Sequence, residues 1–361
     1  MITISVCMIV KNEEEVLDRA LSSIKSFADE IIIVDTGYID QTKDIAKRYT
    51  QYVYDFKWCD DFSKARNYSF SKATKDYCMW LDADDIILEK DQQALIKLKG
   101  TLSNDISVVM MKYNTSFDEQ DNPTFTYYRE RLLKRSDQFY WEGFVHEVIS
   151  PRGKIEYSDI AICHKKLKQS NPLRNIQIFQ KKLKEGHQFN PREIFYYARE
   201  LYYQHLYDEA IVEFKRFLDT KEGWLENNIS TCQFISYCFD ELEDKVSAID
   251  WLLRSMRYDV PRAEICCDLG KYFFELESYE QAIYWYAVAM SCQRDDTSGA
   301  FVLVDCYDYI PSIQMCVCYD KLKDYKTAQL YNELAGQAKP ESLAYLQNKE
   351  YFEERLKTKK E

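Results

Sequence analysis

CMWLDADD, residues 78–85, runs an apolar stretch straight into three carboxylates, Asp82, Asp84 and Asp85. The apolar part reads as a buried β-strand, YCMWL (77–81), so its charged end needs an explanation. In a parallel sheet ligands bind beyond the carboxyl ends of the strands, and this strand delivers Asp82 to that edge. Two-residue periodicity places Asp82 and Asp84 on one side of the chain. Like charges that close repel unless something positive sits between them, and a hard divalent cation with oxygen ligands is the natural occupant. A solvated acidic turn capping a helix at 89–102 would carry the same residues. The neighbouring segments decide between the two.

Outward from this strand, short β-branched runs alternate with amphipathic stretches. ITISVCMIV (2–10) is a strand, and residues 13–27 space Val16, Leu17, Ala20, Leu21 and Ile24 along one helix face. EIIIVD (30–35) is the next strand, followed by a helix at 41–49, a strand at 52–56 and a helix at 62–73. Such alternation predicts a parallel α/β sheet with covered faces. The runs SVVMMKY (107–113), FTYYRERLL (125–133) and DIAIC (159–163) have fewer helices between them, so the sheet should finish mixed.

Past residue 190 the pattern becomes wholly helical and repeats. A tyrosine precedes an alanine by three positions at Tyr207/Ala210, Tyr279/Ala282 and Tyr325/Ala328, with a weaker copy around Ala248. The alanines fall 38, 34 and 46 residues apart, close to the period of tetratricopeptide repeats. One such unit cannot bury its own face, so several stack into a solenoid with a groove. An irregular helical bundle is the plainer alternative. The stretch 294–311 reads as an insertion lengthening the last interval, and a helix at 341–357 caps the stack. The expected organisation is an α/β domain over 1–168, a connecting helix at 169–190 and helical repeats over 191–361.

The bulk composition sets limits. The chain has 361 residues, 46% hydrophobic and 30% charged, and a formal net charge of −12 expected to spread over both halves. With no basic stripe to neutralise phosphates, nucleic acid binding is not expected. The opening residues read as a first strand and not as a signal peptide, and no stretch is apolar enough to span a bilayer, so a cytoplasmic location is expected. None of the twelve cysteines forms a C-x-x-C pair, so they read as reduced thiols acting as small apolar residues.

Five further segments surround LDADD in order: IVKNEE (9–14), VDTGYID (34–40), DFSKARN (61–67), WEGFVHE (141–147) and AICHK (161–165). This order resembles family 2 glycosyltransferases of the GT-A fold, in the branch with C-terminal tetratricopeptide-like repeats. The resemblance implies a nucleotide-sugar donor of the UDP type, Mn²⁺ or Mg²⁺, and an inverting hexosyl transfer. It implies that Asp35 contacts the base or ribose, that Asn12 and Glu13 line the same pocket, and that Arg66 lies near the diphosphate or braces the acids. Asp82 and Asp84 become the D-x-D pair, with Asp84 the direct metal contact, and His164 completes the metal site. Glu147 becomes the catalytic base. Asp40, Asp85 and His146 are expected in support of these groups. Independently, Trp141 and Gly143 in FYWEG (139–143) offer an aromatic face and a close backbone approach for a sugar ring.

One departure stands out. The family reads V-D-T-G-S-T-D after its second strand, and here Tyr38 and Ile39 replace Ser-Thr. Asp35, Gly37 and Asp40 remain, so the turn should survive. A nicotinamide-dependent dehydrogenase would need glycines in the first turn, where this chain has VKNEE. Two other readings stay open: a repeat scaffold with an inactive first domain, and a transferase acting on an envelope glycan or lipid-linked acceptor. In the favoured reading the repeats hold a protein or peptide acceptor. Self-association into a homo-oligomer would be their alternative use.

Overall fold

The computed structural model describes residues 1–118, 121–167 and 171–357. The chain divides into two compact units, Met1–His187 and Gln188–Glu361. The first is built on one eight-stranded sheet in the order β3-β2-β1-β4-β7-β6-β8-β5. Its parallel part is β1 (Ile4–Val10), β2 (Glu30–Asp35), β3 (Val53–Asp55) and β4 (Tyr77–Leu81). Apart from the three-residue edge strand β3, these strands are almost wholly buried, as β-branched runs covered on both faces should be. Helices α1 (Leu17–Ile24), α2 (Thr42–Lys47) and α3 (Phe62–Ser71) connect them, and α4 (Glu89–Thr101) follows the acidic turn after β4. The first two are shorter than their sequence patterns suggest.

The sheet turns mixed at the expected place. β4 pairs antiparallel with β7 (Pro123–Lys134), which pairs antiparallel with β6 (Ile106–Phe117). β8 (Lys154–His164) runs parallel to β6, and the two-residue β5 (Asp85–Ile86) closes the edge against β8. The expected domain end at residue 168 lies outside the described residues. Where a connecting helix at 169–190 is expected, helix α5 (Arg174–Lys184) lies within the first unit, and its Phe179 ring meets Phe144 at 5.0 Å.

The second unit is four antiparallel helix pairs and a final helix. The pairs are α6 (Pro191–Tyr203) with α7 (Tyr207–Thr220), α8 (Leu225–Glu241) with α9 (Lys245–Arg254), α10 (Ala263–Glu275) with α11 (Tyr279–Ser291), and α12 (Tyr309–Lys321) with α13 (Tyr325–Ala338). α14 (Leu343–Lys357) packs on α13 and caps the stack. Each pair turns through one left-handed residue, His205, Glu243, Glu277 or Lys323, two positions before its second helix. These hinges recur at the same three intervals as the alanines, and Ala210, Ala248, Ala282 and Ala328 are each fully buried where the helices touch. First helices of neighbouring pairs also contact one another, α6 with α8 and α10 with α12, which puts them on the inner side of the stack.

Ten of the twelve cysteines are buried and all are free, consistent with their use as small apolar residues. Among the described residues no helix is long and apolar enough to cross a membrane. The charge distribution departs from expectation. Residues 1–187 hold 28 Lys and Arg against 29 Asp and Glu, whereas residues 188–361 hold 20 against 31, so the second unit carries −11 of the −12. The difference is one of composition, since the second unit has eight fewer basic residues than the first and two more acidic ones.

Candidate active site

β5 and β8 pair in the register Asp85↔His164, so the acidic turn after β4 lies directly against the histidine that ends β8. His164 Nδ1 is 3.4 Å from Asp84 Oδ1 and 3.2 Å from Asp85 Oδ1. One ligand atom from each of Asp84, Asp85 and His164 falls within 4.8 Å of the others. The structure thus groups Asp85, expected in a supporting role, with Asp84 and His164, while Asp82 turns elsewhere.

Asp85 is a fully buried anion held by three donors. Tyr113 Oη donates to Oδ1 at 2.8 Å, and Arg131 Nη1 and the Asp82 amide each reach Oδ2 at 3.2 Å. Arg131, from β7, is also fully buried and donates to the Trp80 carbonyl at 3.0 Å. Its guanidinium lies 3.6 Å from the Trp80 ring and 4.2 Å from the Tyr113 ring. Asp82 instead accepts from Arg66 Nη2 at 2.7 Å, and Arg66 Nε donates to Glu147 Oε1 at 2.5 Å. The Arg66 guanidinium sits 5.2 Å from Trp80 and 4.8 Å from Trp141. A buried strand can therefore end in three carboxylates because two of the three arginines against the ring of Trp80, two residues before the first carboxylate, are Arg66 and Arg131. One neutralises Asp82 and the other Asp85.

The electrostatics follow from burial and pairing. Burial pushes the Arg66 guanidinium down, but Asp82 and Glu147 outweigh it and hold the charge firmly on. Burial pushes Asp82 up, and Arg66, Arg131 and His164 together bring it below its ordinary value. Asp84 is raised, by burial and by its neighbours Asp82 and Asp85, against the pull of His164. Burial lowers His164, yet the hydrogen bond to Asp85 and the charges of all three aspartates raise it overall. Four carboxylates, Asp82, Asp84, Asp85 and Glu147, face two guanidiniums here. The remaining negative charge and the O,O,N donor set fit a divalent cation held by Asp84, Asp85 and His164.

Glu147 is placed by a tight loop. Glu142 and Val148 exchange both backbone hydrogen bonds, at 2.9 and 3.0 Å, and the turn between them uses Gly143 (φ 93°) and a left-handed His146 (φ 52°). Helix α3 grips this loop at two further points. Phe62 N donates to the Phe144 carbonyl at 2.9 Å. The Asn67 amide donates to the Trp141 carbonyl at 2.9 Å and accepts from Trp141 N at 2.7 Å. Trp141 itself does not offer a face to a sugar. It is 2% exposed, with its ring against Trp80 at 5.1 Å and Phe70 at 6.1 Å, because the core behind Arg66 needs filling; Tyr140 is the exposed ring of the segment.

The other expected residues gather on the far side of β1. Asp35 ends β2 and is buried, its Oδ1 accepting from Gly37 N at 2.9 Å while Oδ2 has no hydrogen-bond partner; burial raises its pKa. Asn12 Oδ1 accepts from Ile39 N at 2.9 Å, and Glu13 N donates to Thr42 Oγ1 at 2.6 Å. Asp40 accepts from Thr42 N at 3.0 Å and Glu14 N at 3.2 Å. The turn survives the departure from the family pattern, since Tyr38 and Ile39 point outward, 48% and 91% exposed. Arg131, Tyr113 and Asn67 were not anticipated as site residues. The signal for Arg131 was RER at 129–131, two arginines on one strand face opposite an acidic strand end.

Known proteins match parts of this chain. The family model for Glycosyl transferase family 2 matches residues 5–152. A TPR repeat-containing protein of Synechococcus elongatus is 46% identical over 90 residues, 25% of this chain and 22% of that protein. The SPbeta prophage-derived glycosyltransferase SunS of Bacillus subtilis is 26% identical over 231 residues, 60% of this chain and 53% of that protein. An uncharacterized glycosyltransferase of Rickettsia typhi is 32% identical over 92 residues, 26% of this chain and 31% of that protein. The matched stretches thus span between about a fifth and about half of these relatives' own lengths. Residues 5–152 of the first unit are thus similar to Glycosyl transferase family 2, and they are followed by helix pairs that recur at intervals close to those of tetratricopeptide repeats.

Proposed function

We propose that this protein moves a hexose from a nucleotide-sugar of the UDP type to a polypeptide acceptor, with inversion and with Mn²⁺ or Mg²⁺. The observation that carries the reading is the surplus of carboxylate at the carboxyl end of β4, closed by His164. Asp84, Asp85 and His164 would hold the cation, which when bound supplies positive charge to a departing diphosphate. Arg66, charged and buried beside Asp82, adds a second positive group at the same place. Asp35 Oδ2 is a buried acceptor without a partner and suits an N–H or O–H of the nucleoside, with Asn12, Glu13 and Asp40 shaping the turn around it. Glu147 takes the acceptor's proton. Arg66 holds its Oε1, so Oε2 is the oxygen left for that task.

The polypeptide acceptor is read from the repeats, whose inner face is suited to extended or helical segments. The metal assignment has a direct test. Asp84→Asn should abolish most Mn²⁺-dependent hydrolysis of a UDP-hexose panel, read by mass spectrometry, while thermal unfolding barely moves. Turnover near wild type in a folded variant would remove Asp84 from the site.

A further inference from the structure

The insertion that lengthens the last repeat interval is not a free loop. After α11 the chain runs back over the inner side of the stack. Gly299 (φ 79°) lies against the Trp224 ring, so closely that a Cβ there would come within 3.1 Å of it. Phe301 lies over the Arg199 guanidinium of α6 at 5.9 Å. Leu303 N donates to Glu264 Oε1 of α10 at 2.7 Å, and Val302 between them is buried. Anchored in this way, the strap leaves Phe301 and Leu303 51% and 45% exposed, beside Trp224 at 50% and Tyr203 at 49%. Arg199 ties the group together from below, donating to Tyr203 Oη at 3.0 Å. Among the described residues it makes no ion pair.

An exposed cluster of Trp, Phe, Tyr and Leu over an arginine has the composition of an interface hot spot. Its surroundings define the partner. The unit carries −11, so a segment bearing Lys or Arg is drawn in, and a second copy of the same surface is repelled. We propose that the strap and α6 together form a docking surface for a polypeptide segment in which aromatic or aliphatic anchors are flanked by basic residues. This deepens the reading of a polypeptide acceptor and rests on it.

The test uses the full chain and a random peptide library displayed on phage, with the best enriched peptide then synthesised and titrated. Enriched sequences should combine Lys or Arg with Trp, Phe or Leu. Phe301→Ala, Trp224→Ala and Leu303→Glu should each weaken the peptide by about tenfold or more. Tyr284→Ala, on α11 and 61% exposed, should leave binding unchanged. Thermal unfolding of each variant separates lost contacts from lost fold, and three variants make a general failure to fold distinguishable. Enrichment of acidic sequences, no enrichment, or equal affinity for all four variants would overturn the proposal. The measurement needs no donor and no turnover, so its failure would leave the transferase reading standing, and inactivity of the enzyme would not touch it.

Discussion

The two units hold comparable amounts of charge and dispose of it in opposite ways. The first is almost neutral and concentrates four acids and two arginines in one buried site. Its ion pairs join distant parts of the chain: Arg66 and Glu147 are 81 residues apart, Arg131 and Asp85 46. The second spreads an excess of acid over its surface and pairs part of it within a helical turn, as in Arg216–Glu213 and Lys271–Glu275, and part between neighbouring helices, as in Lys245–Glu275. Long-range buried pairs fix a constellation, whereas local exposed pairs decorate a shape already set by helix packing. The comparison predicts where substitutions will matter.

The largest effect should fall on the base. Glu147→Gln keeps the shape and the contact to Arg66 but cannot accept a proton, so kcat should drop roughly 10²–10⁴-fold with donor affinity unchanged. Single-turnover kinetics with calorimetry of donor binding would show it. Loss of donor binding in parallel would move Glu147 into the nucleotide pocket.

Next comes the buried arginine that the sequence reading passed over. Arg131→Leu takes the buried guanidinium away from Asp85 and leaves it Tyr113 and His164, and breaking such a pair costs about 3–5 kcal/mol. Arg216→Ala breaks a pair that is partly exposed and should cost at most about 1 kcal/mol. Urea unfolding of both variants tests the contrast, and similar costs would erase it.

The same contrast explains what the sequence revealed. The repeats were legible because their determinants are local: a tyrosine, a small residue three positions on, and a fixed interval. The acids of 82–85 were legible because a buried strand cannot end in charge without a reason. Arg131 was not, because FTYYRERLL alternates like a strand with one wet face. Only pairing with β4 reveals that Arg129 and Arg131 both cover Trp80, at 4.8 and 3.6 Å. Asp85 was ranked behind Asp82 for a similar reason, since the register Asp85↔His164 joins residues 79 apart in the chain and is not set by D-x-D spacing. Trp141 reads as a sugar platform in isolation and becomes a brace once Trp80 and Phe70 are seen on either side.

A smaller effect is expected at Asn67, whose side chain is doubly bonded to the Trp141 backbone. Asn67→Ala should loosen the loop that carries Glu147, lowering kcat by about tenfold while KM for donor holds. Faster amide exchange over 141–148 should accompany the loss. A change in KM alone would reassign Asn67 to binding.

The smallest effect concerns one acid in each unit, and its sign is the informative part. Glu30 is buried in the first unit. Burial raises its pKa, but hydrogen bonds from Ser5 at 2.5 Å and from Thr74 at 2.9 and 2.8 Å outweigh that and lower it. Its native state therefore releases the proton more readily than the unfolded chain, and its contribution is present above the unfolded carboxylate pKa and lost as pH falls through the native one. Asp268, on α10 in the second unit, is raised. Burial dominates over the hydrogen bonds from Gln233 and Tyr237, both at 2.7 Å, and over Lys271, with Asp240 adding to the rise. Here the native state keeps the proton longer, so stability is highest below the unfolded pKa and declines as pH rises toward the native one. Glu30→Gln should cost stability at neutral pH and little in acid. Asp268→Asn should keep an oxygen for Gln233 and Tyr237, remove the burial cost of the charge, and hold or gain stability at neutral pH, by no more than the roughly 1 kcal/mol of a net hydrogen bond. Amide exchange of β2 and of α8 and α10, followed in the full chain between pH 4 and 7, reads the two units separately. Slopes of the same sign at both positions would show that the units do not differ in how they carry buried charge.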